Sequence, residues 1–138
     1  MFDGRRRAVF TVPGDVMGKP RPRFDRKSGR AYTPKKCVQY EKLIASMYRE
    51  TGCEPFCGPV MVKVDTYRAL PKSRPKKVTR EADTTKPDAD NIIKIVLDAL
   101  NGVAYHDDSQ VVVVQATKHP RERRVEHMTV EVSEVGEV

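Results

Sequence analysis

A chain of 138 residues fits one domain with a sizeable core. Its 33% charged and 38% apolar residues, without Trp, describe a polar surface, and no apolar run approaches the ~20 residues of a membrane span. Met1 to Arg7 carries charge with no apolar stretch behind it, so no signal peptide is expected there and the cytoplasm is the expected compartment; the formal net charge of +7 points to an anionic partner.

Ala8 to Val12 alternates and is β-rich, predicting a strand that ends at Pro13-Gly14. A first basic loop, about 13–30, contains Gly18-Lys19-Pro20-Arg21-Pro22-Arg23-Phe24. Proline stiffens this segment, so Lys19, Arg21 and Arg23 are displayed on extended backbone, suited to phosphate, with Phe24 placed to stack on a base. The plainer reading is a solvated loop. Ser28-Gly29 reads as a turn. Thr33-Pro34 predicts a helix start, with Thr33 as N-cap and Pro34 as first helical residue. Cys37, Tyr40, Ile44, Met47 and Tyr48 form its apolar face, Gly52 ends it, and Lys35, Lys36, Lys42 and Arg49 lie on a wet or DNA-facing side. Val60, Val62, Val64 and Thr66 alternate with Met61, Lys63, Asp65 and Tyr67, which predicts a half-buried strand. A second basic loop, about 71–87, brings Lys72, Arg74, Lys76, Lys77 and Arg80 with no apolar period to order it.

Those cations precede an acidic segment. Asp88-Ala89-Asp90-Asn91 opens an apolar helical run to Leu100, Asn101-Gly102 stops it, and Asp107-Asp108 follows. At 100° per residue Asp90, Asn91, Lys94 and Asp98 share one narrow polar stripe, and apolar residues fill the rest. Two readings stand. Asp88 and Asp90 can be helix caps favoured by the dipole, and Asp107-Asp108 a solvated turn. Alternatively, the carboxylates hold a cation; oxygen-only ligands point to Mg²⁺ or Mn²⁺, and Lys94 is well placed to stabilise a phosphoryl transition state.

Val111 to Ala116 is a continuous β-branched run, expected as a central strand or one covered by a partner subunit. His119 to Arg124 reads as a hairpin-like turn into a last strand, Val125 to Val132, with Met128, Val130 and Val132 on one face; Glu134 to Val138 reads as a tail. Cys37, Cys53 and Cys57 lack zinc spacing and read as reduced thiols, and His106, His119 and His127 share no metal spacing. This order of elements predicts an α+β fold: a single domain with a mixed β-sheet and two principal helices.

The segment Lys86-Pro87-Asp88-Ala89-Asp90-Asn91, then Lys94, Leu97-Asp98-Ala99-Leu100-Asn101-Gly102 and Asp107-Asp108, resembles the signature of the RusA-like Holliday-junction resolvases. The match is specific because it fixes residue types at many positions, and the basic Pro-rich loop after the first strand extends it weakly toward the N-terminus. The resemblance implies a RusA-like fold over residues 1–138. It also implies a Mg²⁺-dependent endodeoxyribonuclease of bacteria or their phages, with Mn²⁺ as substitute, acting as a homodimer on four-way DNA junctions in recombination and repair. Asp88, Asp90 and Asp108 are thereby implied as metal-binding and catalytic carboxylates, and Lys94 as a catalytic cation. Asn91 is a further candidate, and the slightly compact spacing between Leu100 and Asp107 leaves Asp107 as the weaker candidate beside Asp108. Lys19, Arg21, Arg23, Lys72, Arg74, Lys76 and Lys77 are the expected DNA contacts. The alternatives are a Mg²⁺ nuclease for flaps or forks, and a non-catalytic basic nucleic-acid-binding protein whose carboxylates are only caps. A pure binder gains nothing from carboxylates beside phosphates.

Overall fold

Alternation of apolar and polar residues makes three half-buried strands, all turning their apolar side to one core. The computed structural model describes residues 5–20, 23–32 and 34–136. β1 (Arg7–Pro13) buries Ala8, Phe10 and Val12; β4 (Val60–Tyr67) buries Val60, Val62, Val64 and Thr66; β8 (His127–Glu134) buries Met128, Val130 and Val132. β8 lies between β1 and β4, antiparallel to both, and β6 (Val111–Lys118) joins the far side of β4 in parallel. The result is the expected mixed sheet, in the order β1-β8-β4-β6. Two short ribbons flank it: β2 (Arg23–Phe24) with β3 (Ala31–Tyr32), and β5 (Arg80–Glu81) with β7 (Arg121–Glu122).

Two helices cover the apolar face. α1 (Lys35–Glu50) buries Cys37, Tyr40, Ile44, Ala45 and Tyr48, and α2 (Ala89–Leu100) buries Ile92, Ile95, Val96, Ala99 and Leu100. No described helix is long and apolar enough to cross a membrane. Burial raises the phenol of Tyr40 to about 12, in keeping with a core residue. The start of α1 differs from expectation: Pro34 is the N-cap, at φ −53° and ψ 141°, rather than the first helical residue, and Thr33 lies outside the described residues. Gly52 closes the helix at φ +71°, a conformation that glycine adopts without strain. Cys37, Cys53 and Cys57 are free thiols.

Three readings of the C-terminal half need correction. The valine run is no central strand; β6 is the sheet's edge, and Val112, Val113 and Val114 are 55%, 42% and 50% exposed. Apolar content reports what a strand could bury, while the order of strands depends on a crossover through α2 that local sequence does not encode. Nor is His119 to Arg124 a hairpin, because β4 separates β6 from β8 and the connection crosses the end of β4. Glu134 belongs to β8 rather than to a tail, its N–H donating to the Arg6 carbonyl at 3.0 Å. The second basic loop is ordered by polar contacts: Arg74 meets Glu81 at 3.0 Å, and Arg123 donates to the carbonyls of Pro75 and Val78 at 2.9 and 3.0 Å.

The register defines two poles. At one, Pro13, His127 and Tyr67 lie side by side across β1, β8 and β4; at the other, Val60 pairs with Val111 and Glu134.

Candidate active site

α2 presents a narrow wet stripe because its period leaves only Asp90, Lys94 and Asp98 exposed among twelve residues. Asp88 occupies the N-cap position at φ −71° and ψ 153°, yet its carboxylate makes no capping hydrogen bond. Asp90 lies in the first turn. Among the described residues neither carboxylate, nor the Lys94 ammonium, has a side-chain partner. The helix dipole favours the two negative charges, but a cap that accepts no bond leaves its oxygens available for something else.

A cleft of about 960 Å³ opens there, between Gly18, Lys19 and Pro20 on one side and Lys86, Pro87, Asp88, Asp90 and Asn91 on the other. The walls meet closely. The Lys19 N–H donates to the Asn91 carbonyl at 2.8 Å, and a Cβ on Gly18 would lie 2.8 Å from the Pro87 Cβ and 3.0 Å from that of Asn91. Lys19 is not displayed toward solvent as expected; its Nζ bridges Glu41 at 2.7 Å and Asp98 at 3.1 Å, tying the loop to α1 and α2. Burial pulls that ammonium's pKa down, and the two carboxylate bonds more than reverse the pull, leaving it above the ordinary lysine value. Arg21 and the side chains of Arg23 and Phe24 lie outside the described residues.

The other flank of the acidic turn is held by cations. The Asp83 side chain is 0% exposed, with Arg68 at 3.0 Å and Lys118 at 3.8 Å. Thr85 accepts at Oγ1 from Arg68 and Arg121, at 3.2 and 3.1 Å, and at its carbonyl from Lys118 at 2.6 Å. Three strand ends thus grip the chain just ahead of Asp88. No spacing in the sequence signals this grip, since every partner is remote along the chain.

Asp107 and Asp108 divide at the opposite pole. Asp107 is the N-cap of a single 3₁₀ turn, Asp108–Gln110, accepting from the Ser109 N–H at 3.1 Å, while the Gln110 side chain accepts from the N–H of Asp107 and of His106. Hydrogen bonds from Ser109 hold its carboxyl below the usual carboxylate range. Asp108 is exposed, and its carboxylate has no partner among the described residues. The buried Tyr105 hydroxyl donates to the Leu97 carbonyl at 2.9 Å, which sets the segment just before Asp108 against the C-terminal half of α2; burial and then the fields of Asp108 and Asp98 raise that phenol's pKa. Cys57 and His106, 3.9 Å apart, lie in the same region.

The expected carboxylates therefore do not gather in one chain. Asp88 and Asp90 share the N-terminus of α2, Asp108 lies past its C-terminus, and twelve helical residues span about 18 Å. Among the described residues no three of His, Cys, Asp and Glu could hold a metal together. Asp88 and Asp90 alone form a hard, all-oxygen donor pair, and Mg²⁺ commonly binds through one or two carboxylates plus water and phosphate oxygens, so the donor chemistry fits that ion.

Residues 13–133 match the family described as endodeoxyribonuclease RusA. The chain belongs to the RusA endodeoxyribonuclease family. A Bacillus subtilis (strain 168) relative, "Uncharacterized protein YqaN", is 41% identical over 138 residues, covering 90% of this chain and 96% of its own length. Membership assigns this RusA-family protein the hydrolysis of DNA phosphodiesters. Lys72, Lys76 and Lys77 are exposed and without a side-chain partner among the described residues, whereas Arg74 is engaged by Glu81.

Proposed function

We propose that this RusA-family endonuclease is a Mg²⁺-dependent Holliday-junction resolvase. It acts as a single-domain, cytoplasmic homodimer of bacterial or phage origin, placing paired symmetric nicks in DNA during recombination and repair. The observation that carries this reading is the pair of unpartnered carboxylates, Asp88 and Asp90, at the mouth of a cleft one helical turn from an unpartnered Lys94. A chain of net charge +7 has cations enough to neutralise them and leaves them bare. Asp88 and Asp90, with Asp108, would hold Mg²⁺, which when bound polarises the scissile phosphate and activates water. Lys94 offsets charge growing on the non-bridging oxygens. Lys72, Lys76 and Lys77 hold the phosphate backbone without reading bases. The Gly18–Pro20 wall, pinned by Lys19, keeps the cleft narrow beside the scissile bond.

Paired nicks need two active sites related by symmetry, which a C2 dimer supplies. Synthetic four-way junctions, flaps and forks, each labelled strand by strand and incubated with and without Mg²⁺, test the reading. Symmetric nicks in opposite strands of the four-way junction are expected, only with the metal. Cleavage confined to flaps or forks would replace the substrate, and binding without cleavage in either Mg²⁺ or Mn²⁺ would remove the enzymatic reading.

A further inference from the structure

One pair of soft donors plays no part in the chemistry described so far. Cys57 is exposed, and its Sγ lies 3.9 Å from Nε2 of the exposed His106, 49 residues further along the chain. Two segments remote in sequence are held together to make this pair. Phe56 and Tyr105, both buried, form a parallel bridge, and the Phe56 N–H donates to the Ala104 carbonyl at 2.7 Å. Cys57 and His106 each follow one member of that bridge. Gln110 then locks the two sides. Its Nε2 donates to the carbonyls of Phe56 and Gly58, both at 2.9 Å, and its Oε1 accepts from the N–H of His106 at 2.8 Å and of Asp107 at 3.2 Å. Both donor positions and both lone pairs of the amide are used. The backbone on either side of Cys57 and at His106 is therefore fixed before any ligand arrives.

The donor types select the ligand. A thiolate and an imidazole suit Zn²⁺ and disfavour Mg²⁺, which takes oxygen. Zinc bonds of about 2.3 Å to sulfur and about 2.0 Å to nitrogen, opened at the tetrahedral angle, place the two donors about 3.6 Å apart. The pair at 3.9 Å reaches that spacing by a small side-chain rotation. Exposure of both residues leaves the remaining coordination positions to water. We propose that Cys57 and His106 form a metal site of their own, for a soft divalent cation of the Zn²⁺ class, and that an ion held there inhibits DNA cleavage. On binding, the Cys57 thiol releases its proton to solvent, and the lone pair of His106 Nε2 supplies the second bond. One thiolate against Zn²⁺ leaves a net positive group, two residues from Asp108, whose exposed carboxylate has no partner among the described residues. That charge opposes a Mg²⁺ ion approaching the same carboxylate. The site stands independently of the resolvase reading; its effect on cleavage rests on Asp108 as a ligand for Mg²⁺.

Cadmium is the probe, since a thiolate bound to Cd²⁺ absorbs in the ultraviolet by charge transfer. The reduced full chain, held in excess Mg²⁺ to fill the oxygen sites, is titrated with Cd²⁺ and then with Zn²⁺. A single equivalent of Cd²⁺ should raise the band, and Zn²⁺ should remove it. Cys57→Ser should lose the band, His106→Ala should weaken Cd²⁺ binding by about tenfold or more, and Cys53→Ser should match wild type. A wild type without a saturable band, or a band left unchanged by either Cys57→Ser or His106→Ala, overturns the proposal. Cleavage in Mg²⁺ is then followed on whichever branched DNA the wild type cuts, with Zn²⁺ added in steps. Cys57→Ser should equal wild type without Zn²⁺ and need about tenfold more Zn²⁺ for half inhibition. Equal sensitivity of the two proteins means that Zn²⁺ acts by displacing Mg²⁺ at the carboxylates, and it overturns the inhibitory role. A wild type that cuts no junction, flap or fork discards the resolvase reading instead, and the Cd²⁺ band still decides the site.

Discussion

Two adjacent aspartates have different tasks. Asp107 caps the turn, whereas the carboxylate of Asp108, one residue later, has no partner among the described residues. Asp107→Ala should lower the melting temperature and leave single-turnover cleavage within about threefold of wild type; Asp108→Ala should do the reverse, melting normally and cleaving nothing. Acid melts sharpen the comparison. The Asp107 carboxyl is depressed in the folded state, so its contribution is complete above the unfolded carboxylate's pKa and is lost as pH falls through the lower folded value. The Asp108→Ala protein should keep that acid-sensitive increment and the Asp107→Ala protein should lack it. Lys94 poses a similar choice between structure and chemistry. Lys94 makes no ion pair with Asp90, and even such an i,i+4 pair would add little to a helix, so Lys94→Ala should melt close to wild type, while its single-turnover rate falls by about 10²-fold if it meets transition-state charge. Lys94→Arg should recover only part of that loss, since a planar fork replaces a point charge.

At the level of elements, α2 and its stripe were legible because 3.6-residue periodicity is written directly in the chain; Asp90, Lys94 and Asp98 are exposed as that period requires. What surrounds α2 was not legible. Lys19 reads as one more cation in a basic loop, and only the fold places Glu41 and Asp98 beside it. The expected consequences separate cleanly. Replacing Lys72, Lys76 and Lys77 with Ala should reduce the slope of log K against log salt by about one unit per lost phosphate contact, whereas Lys19→Met should lower stability and leave that slope unchanged. The same contrast applies to the two sides of the acidic turn. Gly18→Ala forces its new methyl onto Pro87 and Asn91 and should destabilise the protein by about 1–3 kcal/mol in urea titration. Asp83→Ala leaves the half-buried Arg68 without its main partner and should cost roughly 3 kcal/mol by the same measurement.

Across the whole molecule, the α+β class, the mixed sheet and the two helices could be read from the order of patterned segments. The order of strands within the sheet could not. A valine run that would suit a central strand lies at the edge, because β8 takes the place beside β4 and the crossover through α2 sends β6 outward. The same topology divides residues that sit within one short stretch of sequence, from Asp88 to Asp108, between opposite ends of the sheet. Closeness along the chain says little about closeness in space once a helix of about 18 Å intervenes.

The grip on Asp83 and Thr85 by Arg68, Lys118 and Arg121 means that the acidic turn takes its position from three segments remote along the chain. A substitution in any of them reaches Asp88 without touching it, so variants that shift this turn should scatter along the sequence while clustering around one point in space.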